Sequence, residues 1–191
     1  WAGIDYTGAV TVDLQTGALG GGLESQRGRI DPVAMHFGTD RLKGVFDASA
    51  VLGGTVGAPL LEIHARGSGG AQVVEGPLVS LGVFELRGRI DGGGIVLDRL
   101  TANGQNGALA VAGSMRWDGA VALTVNGGGL DVSAVAEDIA GLGFLKASVS
   151  GTRDALVADG RLEVYGFEAL GRKVPQVVAD WSADKERLTF D

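Results

Sequence analysis

The sequence predicts an all-β fold, a long antiparallel meander of about a dozen strands in a strongly twisted or curved sheet. Three observations predict it. Apolar and polar residues alternate with a period of two over much of the chain. Asp-Gly and Asn-Gly pairs punctuate the alternating stretches. Glycine contributes 34 of the 191 residues against only 4 prolines. The glycines fall between the alternating segments, as turns, and inside them, as bends.

Val10, Val12 and Leu14 begin the alternation. Leu61-Glu62-Ile63-His64-Ala65-Arg66 is strictly alternating, as is Phe84-Glu85-Leu86-Arg87-Gly88-Arg89-Ile90. Leu109, Val111, Gly113, Met115 and Trp117 share one face, and Val121, Leu123 and Val125 repeat the pattern. Leu188 and Phe190 close the series. Asp118-Gly119 is expected to turn the chain after Trp117, and Asp159-Gly160 to join Ala155–Ala158 to Arg161–Tyr165. Asp91-Gly92, Asn103-Gly104, Asn106-Gly107 and Asn126-Gly127 are further turn candidates, because these pairs accept the positive φ values of a type I′ turn. One stretch breaks the alternation. Residues 131–140 contain good helix formers, with Asp131 or Ser133 as a cap and Gly141 as a stop, so one short helix is expected there.

Hydrophobic residues make up 45% of the chain, enough for a large core. Apolar runs fall far short of the roughly 18–20 residues of a membrane-spanning helix. The net charge is −7 and the basic residues are scattered, which disfavours a nucleic-acid partner. The absence of cysteine excludes disulfides and cysteine-metal sites. The chain opens at Trp1 without an initiator methionine and reads as a piece of a longer protein.

A degenerate repeat is visible. Arg27-Gly28-Arg29-Ile30-Asp31 returns as Arg87-Gly88-Arg89-Ile90-Asp91, and Asp40-Arg41-Leu42 as Asp98-Arg99-Leu100. Gly160-Arg161-Leu162 begins a weaker third copy. The expected organisation is one segment, 1–191, with units of about 60 residues at 27–86, 87–150 and a partial 151–191. Such a unit is too long for one rung of a β-solenoid.

The C-terminal third carries a distinctive order of motifs. Leu130-Asp131-x-Ser133-x-x-Ala136 comes first, followed by Gly-x-Leu-x-Ala-x-Val-x-Gly-Thr at Gly143–Thr152 and Asp159-Gly160-Arg161-Leu162. Gly171-Arg172-Lys173-Val174-Pro175 and Leu188-Thr189-Phe190 complete it. This order resembles the repetitive β regions of TamB and the wider AsmA-like envelope proteins. The same idiom, looser, covers Gly70–Gly129. The resemblance implies a taco-like groove or open β-roll with an apolar interior. It implies a protein anchored in the inner membrane of a diderm bacterium and crossing the periplasm. Implied roles are phospholipid transport and outer-membrane protein assembly or secretion, with an outer-membrane barrel partner acting through the full-length protein. It implies no catalytic residues.

The usual signatures of catalysis and metal binding do not occur. No serine has glycines at −2 and +2, no glycine set fits G-x-G-x-x-G, and no Gly-Lys pair suits a P-loop. His36 and His64 are far apart, each expected on the polar side of a strand and neither in metal spacing. Glu137-Asp138 and Asp184/Glu186 read as solvated charges rather than an acid–base pair. No enzyme, metal or cofactor is expected.

The feature that carries function is the apolar face. Its candidate lining residues are Leu61, Ile63, Phe84, Leu86, Leu109, Val111, Met115, Trp117, Val121, Leu123, Leu162 and Val164. Two readings stand. The face is either the closed core of a sandwich or an open concave surface for lipid acyl chains or unfolded outer-membrane protein. Aromatics at only 6% and many Gly and Ala positions favour the open form. Other readings are a scaffold that pairs its edge strands with barrel substrates and a structural β-solenoid without a guest. An isolated segment is also able to self-associate through its apolar surfaces.

Overall fold

The structure, a computed structural model, describes residues 5–36, 40–72, 78–134, 138–152 and 155–191. Alternating sequence gives extended strands, and short connections keep each strand beside its predecessor. The strands are β1 (Thr7–Val12), β2 (Leu19–Arg29), β3 (Leu42–Thr55), β4 (Ala58–Gln72), β5 (Leu78–Asp91) and β6 (Gly94–Gly104). They continue with β7 (Gly107–Arg116), β8 (Ala120–Asp131), β9 (Ile139–Thr152), β10 (Ala155–Ala169), β11 (Arg172–Ala183) and β12 (Leu188–Phe190). All 12 belong to one antiparallel sheet whose spatial order is the sequence order. The sheet is open, with β1 and β12 at its two ends.

Aspartates build several turns. Asp91 Oδ1 accepts the Gly93 N–H at 2.7 Å between β5 and β6, and Asp118 Oδ1 accepts the Ala120 N–H at 3.1 Å between β7 and β8. Gly119 there has φ +89°, which an L side chain resists. The β7 strand ends at Arg116, so Trp117 belongs to the turn. Asn106 sits in the β6–β7 turn, whereas Asn103-Gly104 ends β6.

Two expected turns are strand interior. Asn126-Gly127 lies within β8 at a β-bulge, where the register with β9 shifts between Gly127 and Leu130. Asp159-Gly160 lies within β10, paired on both sides. Gly160 is there for space, because the Trp181 ring lies 2.8 Å from where its Cβ would stand.

That packing rule recurs. Phe46 pairs with Gly28 on one side and Gly67 on the other, and Phe84 pairs with Gly67. The Phe46 ring would stand 2.8 Å from a Cβ on Gly28, and the Phe84 ring 2.8 Å from one on Gly67. Large rings thus lie over strand positions without side chains. Bulges, including those at Ser25/Gly28, Leu97/Leu100 and Gly127/Leu130, bend the strands while returning apolar residues to the same face.

The helix is not where it was expected. Of residues 131–140, Asp131 ends β8, Val132–Ala134 form a single 3-10 turn, and Ile139 begins β9, while 135–137 lie outside the described residues. Asp131 Oδ1 accepts the Ser133 N–H at 3.0 Å, so the expected cap holds a turn instead. Gly141 is in β9. The α-helix is α1 (Ile30–His36), which packs on β3. His36 therefore ends a helix rather than standing on a strand.

Burial is sparse. Among the described residues the buried hydrophobic side chains are Ala34, Ala102 and Val164, and none of the largest is fully buried. The chain exposes 12378 Å², whereas a compact monomer of 19.4 kDa exposes about 8,500 Å². The molecule is a single layer rather than a closed sandwich.

Candidate functional site

Residues directly opposite one another in a sheet share a face, and alternate residues along a strand return to it. The registers therefore trace one face across the whole sheet. Leu61 stands between Leu52 and Ile90, Ile63 between Ala50 and Gly88, and Leu86 between Ala65 and Leu100. Phe84 pairs with Ala102, which pairs with Leu109, and Leu100 pairs with Val111. Val111 pairs with Val125, Met115 with Val121, and Leu123 with both Gly113 and Val149. Leu162 stands between Leu145 and Ala179, and Val164 between Gly143 and Val177. Eleven of the twelve candidate residues thus share one face.

Trp117 is the exception. It sits in the β7–β8 turn, 58% exposed, and its Nε1–H donates to the Asp91 carbonyl at 2.9 Å. It braces two neighbouring hairpin turns rather than lining the face, because the strand ends one residue before it. Residues not singled out in the sequence join the face through the registers, among them Leu52, Ile95, Leu145 and Trp181. Their signal was the same alternation, interrupted by bulges.

Between the strand ends, and among the described residues, this face carries no charge. Its one polar side chain there is Ser25, paired with Ala48 and 3% exposed, and its Oγ has no hydrogen-bond partner. The remaining side chains are aliphatic, aromatic or absent, and most are half-exposed.

The opposite face collects the charges. His64 pairs with Arg87 across β4 and β5, and Arg66 with Glu85. Glu85 Oε1 accepts from Arg87 Nη2 at 2.8 Å and meets His64 Nε2 at 3.2 Å. Hydrogen bonds from Arg87 and then His64 hold the Glu85 carboxyl below its usual range. Its contribution to stability is present above the ordinary glutamate range and lost as pH falls through the lowered value. Farther along, Arg161 bonds Glu163 at 3.1 Å and Asp180 at 3.3 Å, and Glu163 is likewise lowered, first by Arg161 and then by Tyr165. Each ion pair is exposed, so each orders the surface more than it stabilises it. Asp184 bonds the N–H groups of Glu186 and Arg187 at 2.8 Å and closes the β11–β12 turn. A cleft of about 590 Å³ on the charged side is lined by Phe144, Tyr165, Lys146 and Arg161 among others, with the two rings edge-to-face at 5.7 Å.

Among the described residues no three His, Asp or Glu side chains cluster to hold a metal, and no helix is long and apolar enough to cross a membrane. The arrangement offers non-directional apolar contact on one side and solvated charge on the other. No protein-family model, curated protein or solved structure matches the chain.

Proposed function

We infer that the chain is a β-groove segment of an inner-to-outer-membrane bridging protein of the TamB/AsmA-like kind, whose apolar face carries or shelters lipid acyl chains. Support for the outer-membrane protein assembly role rests on the same motifs. The observation that carries the reading is the face running across all 12 strands, which among the described residues and between the strand ends carries no charged side chain and is covered by no second layer beyond α1 at β3. Burying a methylene is worth about 0.8 kcal/mol, so an acyl chain of a dozen carbons faces a cost near ~10 kcal/mol in water. A continuous apolar floor removes most of that cost at every position along it. Because dispersion and hydrophobic contact have no direction, a guest slides rather than lodges. The charged outer face and the net negative charge keep such a surface in solution.

A second reading has an observation of its own. Among the described residues β1 and β12 are the outer strands of the sheet, and every residue of β1 is exposed. Such an edge is suited to pairing with a barrel strand in transit.

The test is native mass spectrometry with lipid extraction on the purified chain and on Leu123→Asp. Co-purifying phospholipid that disappears in the variant, with circular dichroism unchanged, is the expected result. A lipid-free chain whose variant behaves identically removes the lipid reading and leaves edge pairing.

A further inference from the structure

The charged face carries an apolar island. Across β8–β11 the registers set three neighbouring rows on that face. The first holds Asn126, Lys146, Arg161 and Asp180, the second Phe144, Glu163 and Val178, and the third Leu142, Tyr165 and Gln176. Leu142, Phe144 and Tyr165 are 47%, 41% and 44% exposed on a face where alternation calls for polar side chains. Contiguous exposed apolar residues with a polar rim mark interaction sites. These three line the cleft of about 590 Å³, a volume inside the roughly 300–1,000 Å³ of small-molecule sites. Residues 127–129 of β8 are all glycine, and the Phe144 ring lies 3.9 Å from where a Gly128 Cβ would stand. These residues therefore place no side chain over the ring.

The polar groups of the cleft are tied to one another. One oxygen of Glu163 accepts from Arg161 Nε at 3.1 Å, and the other accepts from the Tyr165 hydroxyl at 3.1 Å. Arg161 Nη1 donates to Asp180 at 3.3 Å. Such ties order the side chains in advance and lower the entropic cost of binding. Lys146 and Arg161 against Glu163 and Asp180 leave the three rows without net charge. An anion would face both carboxylates, and a cation both basic groups. A plain hydrocarbon would strip these groups of water and return no hydrogen bond.

We propose that this cleft binds a neutral saccharide. A sugar ring combines an apolar C–H face with a rim of hydroxyls that both donate and accept. Its C–H face lies on Phe144 and Tyr165, while its hydroxyls donate to Glu163 and accept from Lys146 and the Asn126 amide. The site is on the side of the sheet away from the acyl-chain face and does not depend on that reading.

The test is calorimetric titration of the whole chain with two neutral tetrasaccharides, cellotetraose and chitotetraose, backed by saturation-transfer NMR. At least one sugar is expected to bind, with saturation passing from aromatic protons to its ring C–H protons. Which one binds tells a plain hexose polymer from an N-acetylated one. Tyr165→Ala should weaken binding about tenfold, and Glu163→Gln, which keeps the side-chain size, several-fold. Arg87→Ala, a charge of the same face on β5, should leave it unchanged. Glu163→Gln and the saturation pattern decide if Tyr165→Ala does not fold. Binding of neither sugar overturns the proposal, as does binding that both cleft variants leave intact. Preference for an anionic hyaluronan tetrasaccharide, or for a capped apolar tripeptide, overturns the neutral-saccharide assignment.

Discussion

Gly53 and Gly67 are both strand glycines, and a side chain should affect them in opposite ways. A Cβ at Gly67 would strike the Val45 carbonyl and stand 2.8 Å from the Phe84 ring, whereas at Gly53 nothing lies within 4 Å. Gly67→Val should therefore cost about 1–3 kcal/mol from overpacking. Gly53→Ala should gain about 0.5–1 kcal/mol, because it removes only chain entropy from the unfolded state. Urea midpoints of the two variants check this, and equal shifts would mean that ring-over-glycine packing does not set the face. At this scale the sequence was legible in type but not in use. The excess of glycine is plain, yet Gly160 reads as half of an Asp-Gly turn. Nothing local reveals that Trp181, 21 positions later, lies against it.

The turns divide in the same way among elements. Gly119 has φ +89° in the β7–β8 turn, so Gly119→Val should cost about 1–3 kcal/mol. A lowered thermal midpoint, with faster hydrogen exchange in β7 and β8 first, is the expected signature. An unshifted midpoint would mean that the hairpin does not depend on its turn. Asn126-Gly127 carries the same kind of signal, yet it sits in a bulge because β7 and β9 flank it on both sides. The clearest comparison is the repeated pentapeptide. Arg87–Asp91 stays extended to the end of β5, whereas Arg27–Asp31 leaves β2 and starts α1 at Ile30. The residues just after each copy decide the difference. Asp91 runs into Gly92-Gly93, a turn, while Asp31 runs into Pro32, which suits the first turn of a helix and cannot donate to a strand ladder. That signal was in the sequence and pointed to α1. Residues 131–140 misled because helix formers without alternation also suit the end of one strand, a 3-10 turn and the start of the next antiparallel strand.

A single layer this open should be measurable as a whole. Full unfolding of a 19.4 kDa chain exposes about 28,000 Å² in total. With 12378 Å² already exposed in the fold, the change on unfolding is about one fifth smaller than for a compact protein of this mass, and the urea m-value should be lower by the same fraction. A full-sized m-value would mean that the apolar face is covered in solution, by a second copy or by retained lipid.

The sequence by itself determined the class of fold, the antiparallel meander, the number of strands and the common face of eleven of its twelve candidate residues, though not Trp117 or the further members Leu52, Ile95, Leu145 and Trp181. Those features come from the two-residue period, which records the environment of every side chain in the order of the chain. Only the tertiary structure decided that the face is left open, which glycines turn the chain and which receive a ring, and where the helix lies. Closure depends on whether a second layer reaches the face, and ring packing depends on neighbours across the sheet. Such contacts join residues far apart in sequence, and no local pattern encodes them.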